Sequence, residues 1–240
     1  MTAPELVIFD LDGVLVDTQF AETGALNYLA GLMGVTLSAD EAAALFAGKR
    51  MADCIDAISG LAGAPPPLGA VELVRARCEQ LIGDHLEPID GVNQVISTVD
   101  RLMCVASNSP GDLIRKRVEA AGIASAFGGR IFSAYDIDSW KPAPDLFLWA
   151  ARECGVPPAS CVVIEDSPVG VAAAIAAGMP VLRYAPDGTP AHHAAIVAHL
   201  PSGTAVAGLT SFAKMADLPA LISHHPNPLA RTRFGDVRDG

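Results

Sequence analysis

Aromatic residues are scarce in this chain, at 5% of 240, and charged residues make up only 18%. Apolar residues account for 51%, so the low charge excludes a disordered chain and implies a well-buried core. Basic residues are the scarcer charge, 16 Lys and Arg against 27 Asp and Glu, for a net charge of -11. That balance argues against nucleic acid and anionic membranes as partners. It also means that any site for an anionic substrate must concentrate its positive charge locally. The five cysteines (Cys54, Cys78, Cys104, Cys154, Cys161) are scattered and include no C-x-x-C pair. This usage points to reduced core residues rather than to disulfides or a zinc site. No apolar run is long and unbroken enough to span a bilayer. The first such run, Leu6–Phe9, has no basic stretch before it and ends in charge at Asp10, too soon for a signal peptide. The expectation is a cytoplasmic monomer of one large domain or of a domain with a substantial insertion.

Short apolar runs rich in β-branched residues are present. Leu6–Phe9, residues 102–106, 161–164 and 180–184 read as buried strands, and 131–134 as a weaker one. Helical stretches separate them: 112–121, 145–154 and 169–177, each followed by glycine at Gly122, Gly155 or Gly178. Alternating strand and helix predicts an α/β fold, a Rossmann-like, doubly wound parallel sheet. Residues 20–87 break the alternation. They hold helical patches at 20–32, 39–46, 51–61 and 68–86, punctuated by Gly34, Gly48 and Pro65-Pro66-Pro67. The reading is a catalytic core of residues 1–17 and 88–223, an inserted helical cap at 18–87, and a frayed tail at 224–240.

In open parallel sheets, ligands bind beyond the carboxyl ends of the strands. Those ends carry reactive residue types here. The first strand runs into Asp10-Leu11-Asp12-Gly13, the second into Ser107-Asn108-Ser109, and the fourth into Glu165-Asp166-Ser167. Lys141 follows the third in Trp140-Lys141-Pro142.

This order resembles the haloacid dehalogenase-like hydrolase superfamily, in its helical-cap, Mg-dependent phosphatase branch. D-L-D-G-V-L-V-D-T is similar to the first family motif, the serine of A-S-N-S to the second, the lysine of W-K-P-A-P to the third, and V-V-I-E-D-S to the fourth. M-C-V-A-S-N-S and I-F-S-A-Y-D-I-D-S-W-K-P also resemble 6-phosphogluconate phosphatase-like members. The likeness covers the chain to about residue 185.

The resemblance implies that Asp10 is the nucleophile and forms an aspartyl-phosphate. A Mg²⁺ ion would offset the repulsion between that carboxylate and a phosphate. Asp10 and Asp166 are the expected side-chain ligands, Asp12 contributes its backbone carbonyl, and Glu165 binds either directly or through water. The Asp12 side chain, on the same side of an extended segment as Asp10, is the expected proton shuttle. Ser107, Asn108 and the following amides would bind phosphate oxygens, with Lys141 as the fixed cation.

Between two cap helices, Lys49 and Arg50 read either as contacts for an anionic substrate group or as a solvated helix start. Asp17 and Thr18 are placed at the hinge into the cap. His192, His193 and His199 lack a neighbouring ligand set and read as surface or structural residues. The expected substrate is a small phosphorylated metabolite, a sugar phosphate or sugar-acid phosphate. Rival readings are a β-phosphoglucomutase-type mutase, a metal-free dehalogenase and a silent metabolite-binding module. The mutase reading expects a histidine after the first motif, where this chain has Thr18-Gln19-Phe20-Ala21-Glu22-Thr23.

Overall fold

The computed structural model describes residues 3–46, 49, 51–83, 86–186, 193–201, 204, 206 and 208–224. The tail expected at 224–240 lies, beyond its first residue, outside them, as does Arg50.

The chain divides into two compact units, Met1–Leu15 with Pro88–Gly240, and Val16–Glu87. In the first, six parallel strands form one sheet in the order β3-β2-β1-β4-β5-β6. They are β1 (Leu6–Phe9), β2 (Leu102–Ser107), β3 (Ile131–Ser133), β4 (Cys161–Glu165), β5 (Val181–Tyr184) and β6 (Leu209–Phe212). Register is set at the centre, where Leu6 pairs with Leu102 on one side and with Cys161 on the other. Every residue of β1 is buried, as expected of a strand covered on both faces. Alternation divides those faces. Leu6 and Ile8 join Leu146, Phe147, Val163 and Val171 in one cluster, while Phe9 meets Phe127 edge-on with ring centroids 6.1 Å apart. Each fully buried side chain of this size contributes about 1.5–3 kcal/mol.

Helices connect the strands, as right-handed crossovers between parallel strands require. The helices of the chain are α1 (Gln19–Leu32), α2 (Ala39–Phe46), α3 (Met51–Ala62), α4 (Ala70–Ile82), α5 (Val92–Thr98), α6 (Gly111–Ala120), α7 (Ala124–Phe127), α8 (Ala134–Ile137), α9 (Asp145–Glu153), α10 (Pro168–Ala176), α11 (His193–Val197) and α12 (Leu218–His224). Gly122, Gly155 and Gly178, just past α6, α9 and α10, have φ of 69°, 70° and 70°.

The second unit holds α1 to α4. Ala21, Ala25, Leu26 and Leu29 line the buried stripe of α1, and Val74, Cys78 and Ile82 that of α4. A capping box starts α2: Ser38 N donates to Glu41 Oε2 at 2.8 Å, and Glu41 N donates to Ser38 Oγ at 3.3 Å. Before α1, Asp17 Oδ1 accepts from Gln19 N at 3.1 Å, and Thr18 is buried. The insertion starts and ends at one point of the core, because Ile89 N donates to Leu15 O at 2.9 Å. Among the described residues no helix is long and apolar enough to cross a membrane.

The third strand is one residue shorter than expected, since Ala134 already begins α8. The helix expected at 68–86 spans Ala70–Ile82. β6 and α5 were not anticipated. β6 reads Leu-Thr-Ser-Phe and buries only its last residue, so it offers no continuous apolar run.

Candidate active site

β1 and β4 are neighbours in the sheet, and the chain leaves them on the way to different parts of the fold. A crevice between such strand ends is where ligands collect in open α/β sheets. Asp10 sits at the mouth of β1, its backbone N donating to Ile164 O at 2.9 Å. Its side chain is 11% exposed. Lys141, almost fully buried, donates through Nζ to Asp10 Oδ1 at 2.5 Å and to Glu165 Oε1 at 2.8 Å. Its ammonium also lies 4.9 Å from the centre of the Phe147 ring. The local positive charge that an acidic chain needs is thus at the strand ends.

Glu165 is held on its other oxygen. Oε2 accepts from Asp166 N, Ser167 N and Ser167 Oγ, each at 2.9 Å. Ser167 caps α10, accepting from Gly170 N at 3.1 Å. Gly170 leaves room for this arrangement, because a Cβ there would overlap the Glu165 carboxylate. Gly13 does the same for Asp166: a Cβ would collide with its carboxylate, and φ is 84° at Gly13. Buried Arg183 of β5 donates to the Asp166 carbonyl at 3.2 Å.

Asp10, Glu165 and Asp166 each offer an oxygen within 4.8 Å of the others, the one such group of potential metal ligands among the described residues. Crowding shows in their protonation. Burial pushes the Asp10 carboxyl up to about 7; Glu165 and Asp12 push the same way, and Lys141 opposes them. Burial, then Glu165 and Asp10, raises Asp166 well above the carboxylate range. Burial would lower the Lys141 ammonium, but the two carboxylates outweigh it and hold its pKa above the ordinary lysine value. Hard carboxylate oxygens in excess of the local cation suit a small divalent ion such as Mg²⁺.

The Asp12 carboxylate lies outside that group. Arg117 Nη1 donates to Oδ1 at 2.6 Å, and Ser109 Oγ donates to Oδ2 at 3.1 Å. Ser107 is buried, and its Oγ accepts from Ser109 N at 3.1 Å. Asn108 spends its side chain on the lysine segment: Oδ1 accepts from Lys141 N at 3.0 Å, and Nδ2 donates to Lys141 O at 3.4 Å. The Asn108 side chain is therefore engaged within the protein.

Lys49 is exposed. His199 is exposed and joins no ligand group; the side chains of His192 and His193 lie outside the described residues. All five cysteines are free, four buried and Cys154 half-buried.

Arg117, Ser109, Gly13 and Gly170 were not singled out in the sequence. One signal existed for Arg117. In α6, Ile114 and Val118 mark the buried stripe, continued by Ala121 at its C-cap, and a basic residue three after Ile114 falls on it.

Residues 4–178 match the haloacid dehalogenase-like hydrolase family. The chain belongs to that family. This hydrolase is 32% identical over 188 residues to a 6-phosphogluconate phosphatase of Escherichia coli, covering 78% of this chain and 85% of that one. It is 32% identical over 176 residues to an E. coli fructose-1-phosphate phosphatase, covering 72% and 92%. A crystal structure of a haloacid dehalogenase-like protein from Agrobacterium tumefaciens superposes with a TM-score of 0.77 at 30% identity, covering 91% of this chain and 97% of that one. Within its family, this hydrolase is a phosphatase.

Proposed function

We propose that this phosphatase is Mg²⁺-dependent and hydrolyses a small sugar phosphate or sugar-acid phosphate through a phosphoryl group carried on Asp10. The observation that carries the reading is the cluster of Asp10, Glu165 and Asp166 at the ends of adjoining strands, with buried Lys141 bonded to two of them. The substrate class is supported by the relatives, one a sugar-acid phosphatase and one a sugar-phosphate phosphatase by name.

Asp10 and Asp166 would hold the ion, with Glu165 either on it or on one of its waters and the Asp12 carbonyl completing the protein's share. Bound there, Mg²⁺ supplies charge that lets a phosphate approach a carboxylate. Lys141 holds Asp10 Oδ1, which aims the other oxygen at phosphorus. Ser107 Oγ and the amides of Asn108 and Ser109, ahead of α6, receive the phosphate oxygens. As Asp10 bonds to phosphorus and the ester P–O bond breaks, Asp12 gives its proton to the departing sugar oxygen. Water then attacks phosphorus, Asp12 takes back a proton, and the Asp10–phosphorus bond breaks to release inorganic phosphate.

The helical unit 16–87 serves as the cap in this reading, Asp17 and Thr18 form its hinge, and Lys49 with Arg50 meets an anionic group of the substrate. The lack of a histidine over Thr18–Thr23 favours transfer to water over transfer to a second sugar position.

Phosphate release should be assayed over sugar phosphates, sugar-acid phosphates and nucleotides, with Mg²⁺ and with chelator. Activity should need Mg²⁺ and fall by at least about 10³-fold in Asp10→Asn. A fully active Asp10→Asn would remove the nucleophile assignment. An isomerised sugar phosphate as the main product would make the protein a mutase.

A further inference from the structure

We propose that the side chain of Asn108 is a positioning group that fixes Lys141 by gripping its peptide backbone. The inference rests on the reading of Lys141 as the cation that holds Asp10. Lys141 lies in the connection between α8 and α9, outside any helix or strand, yet it is only 2% exposed. A peptide group buried there has no ladder to supply its hydrogen bonds, and leaving both unmade is costly. Asn108 supplies both. Oδ1 accepts from Lys141 N at 3.0 Å, and Nδ2 donates to Lys141 O at 3.4 Å. A primary carboxamide carries an acceptor and a donor side by side, as a peptide does, so one asparagine stands in for a neighbouring strand.

The grip comes from a fixed anchor. Asn108 directly follows Ser107, the last residue of β2, which pairs with Ser133 of β3. Ser109, on its other side, donates its N–H to Ser107 Oγ and accepts through its carbonyl from Ser133 Oγ at 2.7 Å. The far end of the lysine is held as well, with Nζ on Asp10 Oδ1 at 2.5 Å and on Glu165 Oε1 at 2.8 Å. A lysine stem turns about several bonds, so its ammonium is placed only as well as the backbone that carries it. Asn108 thus links the loop expected to receive phosphate, Ser107 to Ser109, to the cation that aims the nucleophile, across 33 positions of sequence.

The test asks whether Asn108 acts through Lys141. With 4-nitrophenyl phosphate and Mg²⁺, Asn108→Ala should lower kcat by ~10²-fold, the scale of a small misplacement of reacting groups, and leave KM within about 3-fold. Lys141→Met should lose at least as much, and adding Asn108→Ala to it should cost nothing further. Asn108→Asp keeps an oxygen to accept from Lys141 N–H and should lose less than Asn108→Ala. A side chain that met phosphate directly would lose more, because the added charge repels the substrate. A second readout needs neither metal nor turnover. In chelator, hydrogen exchange at the Lys141 amide should be roughly 10-fold faster in Asn108→Ala, with the Val105 amide of β2, bonded to Arg130 O, unchanged. Unchanged exchange at Lys141, multiplying losses in the double variant, or a greater loss in Asn108→Asp than in Asn108→Ala would overturn the role of Asn108 while leaving Asp10 as the nucleophile. If Lys141→Met does not fold, the exchange rates and the two Asn108 variants still decide. Full activity in Lys141→Met would remove the reading of Lys141 and the proposal with it.

Discussion

At the scale of single residues the site is dominated by uncompensated negative charge. In the folded chain without metal, the Asp10 carboxyl titrates near 7, against 3.8 ordinarily. Between roughly pH 4 and 7 the folded state thus holds a proton that the unfolded chain has released. The stability that Asp10 contributes is complete below about pH 4 and is lost as pH rises through about 7. A separation of about three units corresponds to at most about 4 kcal/mol. Asp10→Asn carries no charge to bury. In chelator, it should melt several degrees above wild type at pH 8, with the gap closing toward pH 4, as thermal denaturation across that range would read. A gap that widens toward low pH would contradict the burial account. Asp10, Glu165 and Asp166 were legible in the sequence because each stands at or just after a strand end, and Lys141 because it follows β3 in a Trp-Lys-Pro segment beyond α8. Arg117 was not, since nothing in a linear string says which helix face meets the Asp12 loop.

At the scale of elements, α10 depends on one missing methyl group. The Glu165 carboxylate occupies the space where a side chain at Gly170 would begin. Gly170→Ala must therefore push Glu165 off its three donors or displace the first turn of α10. It should destabilise the fold by about 1–3 kcal/mol, typical of overpacking, and weaken Mg²⁺ binding and activity together. Gly122→Ala is the control. It strains a left-handed residue with open space around it. It should cost about 1 kcal/mol and leave kcat/KM unchanged. Chemical denaturation paired with a magnesium titration distinguishes the two.

The central strands were readable because burial on both faces leaves a continuous apolar run. β6 was not, because only Phe212 of that strand is buried, and its place is set by pairing with β5 rather than by its own composition.

At the scale of the molecule, the hydrogen bond between Leu15 and Ile89 brings the two ends of the insertion together. Replacing residues 16–87 with a short Gly-Ser linker should leave the core folded, because the linker has only to bridge adjacent points. Circular dichroism and a single cooperative melt would establish this. The excised protein should still cleave a small phosphate such as acetyl phosphate, but should discriminate poorly among sugar phosphates. Loss of the core fold would show that the helical unit carries stability as well as selectivity. The α/β class was legible from the alternation of elements alone, since that alternation admits few architectures.

The order of the sheet has one more consequence. β1 lies at its centre, yet its partner residues are remote in sequence: Leu6 is flanked by Leu102 and Cys161. No local hairpin can hold it while the rest of the sheet is absent. Asp10 likewise meets the ammonium of a residue 131 positions away. Folding must close long loops before this strand gains either neighbour, which slows the search and exposes an apolar segment meanwhile. The reward is an all-or-none enzyme. A chain stopped before β4 lacks Glu165 and Asp166, so an unfinished product carries Asp10 without the two carboxylates that complete its cluster.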